Sequence, residues 1–192
     1  MKKTVLSLAL ALVFGATATA TEPIVNEKKE IKPESSTINW KAYKVTGGHE
    51  GMVKLKSGYL EFNGKKLTGG EFEVDMTTLV ATDLDGEMKG KLEGHLKSDD
   101  FFGVENHKTS TLKITSVKPF NDKSYTATGD LTIKGITKPI TFVISLFENK
   151  ATATLKVDRT KYDIKYNSGN FFENLGDKTI YDEFDLVVDL AY

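Results

Sequence analysis

The chain has 192 residues, of which 39% are hydrophobic, 28% charged and 10% aromatic. This ordinary globular composition excludes disordered and collagen-like classes and suits one domain with a real core. The 26 Lys and Arg nearly balance the 27 Asp and Glu, for a formal net charge of -1, so no basic face is expected to displace counterions from nucleic acid. The absence of Cys removes thiol nucleophiles, cysteine zinc sites, disulfides and a lipoprotein anchor on an N-terminal Cys.

The first twenty residues read as an address. Lys2 and Lys3 give a positive start, Val5 to Phe14 is an uncharged, mostly apolar run, and Ala18-Thr19-Ala20 is a small-residue cleavage pattern. Together they predict a secretory signal peptide cleaved after Ala20. The apolar run is too short to cross a bilayer, which takes roughly 20 residues. Residues 21–35, with Pro23, Pro33 and several charges, are expected to be a flexible lead-in.

From residue 36 the chain counts in twos. Ile38, Trp40 and Ala42 alternate with polar residues, as do Val53 and Leu55. Leu60 and Phe62 lie on the opposite parity, so a bulge or bend is expected near Gly58. Asn63-Gly64 signals a hairpin into Phe72, Val74 and Met76. Further runs are Leu112 and Ile114; Tyr125 to Ile133; Ile140, Phe142, Ile144 and Leu146; Ala151 to Val157; and Phe184 to Tyr192. Period-two patterning puts one apolar and one wet face on each strand. About eight such strands predict an all-β fold, an up-and-down antiparallel sheet that removes its edges by closing into a barrel.

One segment has a different period. Leu84, Met88, Leu92 and Leu96 recur every four residues and predict a helix over one opening of the barrel. Asp83 or Asp85 is the expected cap. Gly90 and Gly94 either weaken this helix or let it approach the sheet closely.

Chemistry is sparse. The three histidines, His49, His95 and His107, are not at metal-ligand spacing, and no nucleophile elbow, phosphate loop or dinucleotide fingerprint is present. No catalytic residue, metal or cofactor is assigned. Arg159 is the single arginine among 26 basic residues. Its planar fork suits an internal ion pair with Asp158, Asp163 or a C-terminal acid, or else an anionic ligand head. Trp40, Phe62, Phe72, Phe142 and Ile144 lie on apolar strand faces, where core and cavity wall are the same surface. The pairs Phe101-Phe102 and Phe171-Phe172 fall in loops, as end plugs or as gates at a cavity mouth.

Three stretches then resemble the YceI-like family. Gly94-His95-Leu96-Lys97-Ser98-Asp99-Asp100-Phe101-Phe102 is similar to its "HLKS-DFF" signature. Gly129 to Ile140 resembles its "GDLTI-G-TKP" hairpin, and Asp158 to Ile164 its "R-x-x-(F/Y)-x-I" segment. Where the family often has Tyr-Pro after the first signature, this chain has His107-Lys108. The resemblance spans residues 36–192 and implies an eight-stranded lipocalin-like barrel, exported to the periplasm, that binds a long isoprenoid-type lipid. On that reading the ligand-binding residues are Trp40, Phe62, Phe72, Leu96, Phe101, Phe102, Phe142, Ile144, Arg159 and Tyr166. No nucleic acid and no stable membrane span are expected, and a free barrel edge could support a homodimer. The competing readings are an outer-membrane β-barrel, a small-molecule enzyme in the same cavity, and a ligand-free stress-related structural protein.

Overall fold

The computed structural model describes residues 26–192; the expected signal peptide and cleavage site lie outside them. In chain order the elements are β1 (Asn26–Glu30), β2 (Thr37–Lys44), β3 (Gly47–Asn63), β4 (Lys66–Ala81), α1 (Gly86–Lys97), β5 (Thr109–Pro119), β6 (Ser124–Ile133), β7 (Ile136–Leu146), β8 (Lys150–Asp158) and β9 (Ile180–Ala191). From β2 to β9 each strand pairs antiparallel with the next, and β9 returns to β2. The ring is therefore a closed eight-stranded barrel with one helix, as the period-two runs imply.

Inward positions are apolar and outward positions carry the charge. On β8, Ala151, Ala153, Leu155 and Val157 are buried in alternation. Outside, Lys56 meets Glu73 at 3.0 Å and Lys156 meets Asp185 at 2.9 Å. A barrel sitting in lipid would show the reverse arrangement. On β3 the buried set changes parity, from Gly51, Val53 and Leu55 to Gly58, Leu60 and Phe62. The cause is a bulge, because Leu55 pairs with Val74 and Ser57 with Glu73, leaving Lys56 unpaired. At Gly58 a side chain would crowd the Phe72 ring, 2.7 Å from its Cδ1.

The expected flexible lead-in is corrected from Asn26 onward. Residues 26–30 form β1, which pairs along β3 from Asn26↔Asn63 to Glu30↔Tyr59. β2 occupies the other half of the same β3 edge, up to Ile38↔Val53. Ile31 is buried, and its N–H donates to Gly58 O at 2.8 Å. Backbone pairing and one apolar anchor hold a segment whose own residues, Asn-Glu-Lys-Lys-Glu, show no alternation.

Two seams differ in length. β7 pairs with β6 from Ile136 to Ser145 but with β8 only from Val143↔Thr154 to Leu146↔Ala151. Pro139, which has no N–H, sits in the half of β7 without a β8 partner. A 3-10 turn at Arg159–Tyr162 packs against β7.

Helix α1 follows β4 and packs on it. Leu92 and Leu96 rest on the core, but Met88 is 62% exposed, so only part of the four-residue stripe faces inward. Asp85 holds the N-cap position without a side-chain hydrogen bond, and Asp83 instead lies 2.8 Å from His49 Nδ1. Gly90 and Gly94 look onto open space, so they do not serve close approach to the sheet.

Candidate ligand-binding cavity

A cavity of about 170 Å³ lies inside the ring. β2 contributes Trp40, β4 contributes Phe72, β7 contributes Phe142 and Ile144, and β9 contributes Phe184. At the helix end Leu96, Phe101 and Phe102 cover it. Its inner surface is apolar. Eight of the sequence-selected residues thus share one wall: Trp40, Phe72, Leu96, Phe101, Phe102, Phe142, Ile144 and Arg159.

Phe62 and Tyr166 do not line it. Phe62 lies beyond the parity change, where the β3–β4 hairpin runs past β2, and its ring meets Tyr192 at 6.0 Å. Parity points it inward, but it sits too far along the barrel axis. Tyr166 is 38% exposed and braces the site from behind. It meets His95 edge-on at 4.5 Å and Phe101 at 5.6 Å, and His95 meets Phe101 at 4.9 Å. His95 Nε2 is also 3.4 Å from Asp100 Oδ2. This cluster fixes Phe101 at the cavity end. The two aromatic pairs therefore differ: Phe171 and Phe172 are 50% and 51% exposed, line no part of the cavity, and neither plug nor gate it.

Arg159 is 4% exposed and largely committed to the protein itself. Nη1 donates to Ile164 O at 2.8 Å, Nη2 to Ile180 O at 3.0 Å, and Nε to Tyr181 O at 3.1 Å. Its acid is Asp182, at 3.4 Å, rather than Asp158 or Asp163. Asp158 caps the turn by accepting from Thr160 N–H at 3.0 Å, and Asp163 pairs with Lys165 at 2.7 Å. Burial lowers the guanidinium pKa from its ordinary value, while Asp182 and then Asp158 act in the opposite sense. Beside it the Tyr162 phenol is pushed up to about 12, by burial first and by Asp158 second.

The cavity also takes Ile164 from the β8–β9 connection and Ile180 and Tyr181 from the start of β9, none of which strand periodicity marks. The signal for Ile164 is the alternation Tyr162–Ile164 inside the Arg159 segment, where both residues are buried. Among the described residues no group of three His, Cys, Asp or Glu is arranged to hold a metal ion. No helix among them is long and apolar enough to cross a membrane.

A closed up-and-down ring around an apolar cavity places the protein among the lipocalin-like barrels. More particularly, the chain belongs to the YceI-like domain family, whose model matches residues 30–192. It is 29% identical over 150 residues to a UPF0312 protein of Pseudomonas putida strain F1, covering 74% of this chain and 71% of that one. It is 30% identical over 145 residues to a UPF0312 protein of Photorhabdus laumondii, covering 73% and 70%. The crystal structure of BcnA from Burkholderia cenocepacia is similar with a TM-score of 0.68 at 17% identity, covering 84% of this chain and 99% of that one. A polyisoprenoid binding domain from Saccharophagus degradans, implicated in plant cell wall breakdown, gives 0.55 at 11% identity, covering 84% and 97%.

Proposed function

We propose that the protein is an exported, non-enzymatic carrier or sequestering protein that takes an isoprenoid-type lipid into its barrel. The observation that carries this reading is the apolar cavity of about 170 Å³ enclosed by a charged exterior. The polyisoprenoid-binding description of the Saccharophagus neighbour supports it. Tail burial supplies the affinity, at roughly 0.8 kcal/mol per CH₂, so about ten buried carbons contribute on the order of 8 kcal/mol before association costs.

Size sets a condition. The cavity is comparable to the ~150 Å³ apolar hole that accepts a benzene-sized guest, and smaller than the ~300–1,000 Å³ of drug-sized sites. A long tail therefore requires the cavity to enlarge beyond this volume. The test is organic extraction of the protein purified from the periplasmic fraction, followed by mass spectrometry. A prenyl lipid at near-stoichiometric amount, on a chain beginning at Thr21, is the expected result. A lipid-free protein that also fails to bind added prenyl chains would refute lipid binding, recovery of the protein only in the cytoplasmic fraction would refute export, and an intact N-terminus would refute cleavage after Ala20.

A further inference from the structure

The end of the barrel where α1 lies presents aromatic side chains to solvent. Phe171 and Phe172 are adjacent in the β8–β9 connection and each is half exposed, while Tyr181 at the start of β9 is 52% exposed. They stand on an ordered base. Ile180 N–H donates to Asn167 O at 2.9 Å, and Asn170 Nδ2 donates to Asp182 at 2.6 Å. The N–H groups of Phe171 and Phe172 both donate to Ser168 O. Lys165 Nζ lies 5.1 Å from the Phe171 ring, a cation over an aromatic face. Neighbouring exposed aromatics of this kind mark an interaction site more often than chance.

The patch adjoins the cavity. Tyr181 belongs both to the surface and to the cavity wall. Half-buried Tyr166, next to Lys165, meets Phe101 of the wall at 5.6 Å. The opposite end exposes Phe120 and Phe147, in the β5–β6 and β7–β8 turns, but neither lines the cavity. Area and charge decide what covers the patch. An aromatic side chain carries about 150–250 Å², so half of three gives roughly 300 Å², well short of the ~800 Å² per partner of a standard protein interface. A second copy of the chain would not be held by it. A bilayer needs no such area, because a few apolar side chains inserted at headgroup depth bind reversibly. Between Thr160 and Ile180, Lys161, Lys165 and Lys178 balance Asp163, Glu173 and Asp177. Such a loop is neither drawn to an anionic surface nor repelled by one, and suits a zwitterionic one.

We propose that Phe171, Phe172 and Tyr181 form a docking surface for a zwitterionic phospholipid bilayer, which sets the α1 end of the cavity against the membrane. The choice of a bilayer rests on the lipid-binding reading, because an isoprenoid-type ligand resides in membranes rather than in water. It adds the face through which the protein meets the source of its ligand. Docking is peripheral and reversible: the rings enter the headgroup region, and the charged barrel wall stays in water.

The test is flotation of the full mature chain with phosphatidylcholine vesicles, beside Phe171→Ser/Phe172→Ser and, at the other end, Phe120→Ser. Each ring that leaves about 100 Å² of apolar surface uninserted costs about tenfold or more, so the double variant is expected to lose about a hundredfold in vesicle affinity. Phe120→Ser should stay within about twofold of wild type. Adding anionic lipid or raising salt should change wild-type binding little. Brominated acyl chains should quench Phe172→Trp and leave Phe120→Trp bright. In buffer without vesicles the double variant should keep the wild-type circular dichroism and apolar-dye affinity, since neither phenylalanine lines the cavity. Vesicle binding that is absent, that survives the double variant, that requires anionic lipid or that falls equally with Phe120→Ser overturns the docking surface. A wild type that dimerises through these phenylalanines and ignores vesicles also overturns it, in favour of a second copy. A chain that docks on vesicles through Phe171 and Phe172 but binds no added prenyl lipid confirms the surface and refutes the lipid-binding reading alone.

Discussion

Replacing Arg159 separates its two possible roles. Arg159→Met keeps the aliphatic stem and removes four hydrogen bonds, to Ile164 O, Ile180 O, Tyr181 O and Asp182. Each bond from a charged donor contributes about 1.5–3 kcal/mol in context, but relaxation and water recover part of the loss. Breaking a buried pair typically costs ~3–5 kcal/mol, and we expect that range here. Asp182 has a 16% exposed side chain and a second partner in Asn170 Nδ2 at 2.6 Å, which favours the lower end. Against a typical total of ~5–15 kcal/mol, this is a large fraction. In a domain of this size it corresponds to a fall in melting temperature of about 10 °C. Arg159→Lys, which has no planar fork, should lose about half as much. Urea unfolding followed by circular dichroism reads the effect as a shift in midpoint at constant slope. If Arg159→Met costs less than about 1 kcal/mol while prenyl-chain binding disappears, the residue holds ligand and the structural account fails.

Gly51→Ala should be severe, because the new methyl would overlap Val80 O as well as the Trp40 ring. A loss at or above the usual ~1–3 kcal/mol of overpacking is expected in thermal melts, and a wild-type melting temperature would refute it. Ala153→Phe projects into the cavity between Ile144 and Val188 and should abolish binding of an apolar dye while the strand spectrum persists; unchanged dye affinity would contradict the assigned wall. Stability should also fall at both pH extremes. The Tyr162 phenol is raised to about 12, so its contribution is complete below about pH 10, where the unfolded chain ionises, and is lost as pH rises toward 12. The Lys156 ammonium holds the Asp185 carboxyl below the usual range, with burial opposing and the Tyr43 hydroxyl assisting, so that contribution is present above about pH 4 and lost in stronger acid. Melting Tyr162→Phe and Asp185→Asn across pH should show a flatter alkaline and a flatter acid limb respectively. Since Lys156 is 57% exposed, the acid effect should stay below about 1 kcal/mol.

Alternation made most of the barrel readable. It even placed the parity change near Gly58, because a bulge moves every later side chain to the other face. What alternation lacks is an axial coordinate. Phe62 and Trp40 both point inward, yet one meets Tyr192 beyond the cavity and the other forms its wall. Strand β1 escaped notice because it is held by the free edge of β3 rather than by an apolar face of its own. Which C-terminal acid pairs with Arg159 is hidden for a related reason: the β8–β9 connection brings Asp182 back from 23 positions away in sequence. That the Trp40 indole N–H is buried without a partner is invisible before folding, since in one dimension every donor still has water.

The short β7–β8 ladder has a mechanical consequence. A hooped cylinder splits where it has the fewest rungs, and this hoop has four at that joint against nine between β8 and β9. Breathing of the wall should therefore start there, by local rather than global opening. Deuterium should enter those amides of Val143–Ser145 that face β8 sooner than those of β9 facing β8, so the barrel carries its own line of perforation.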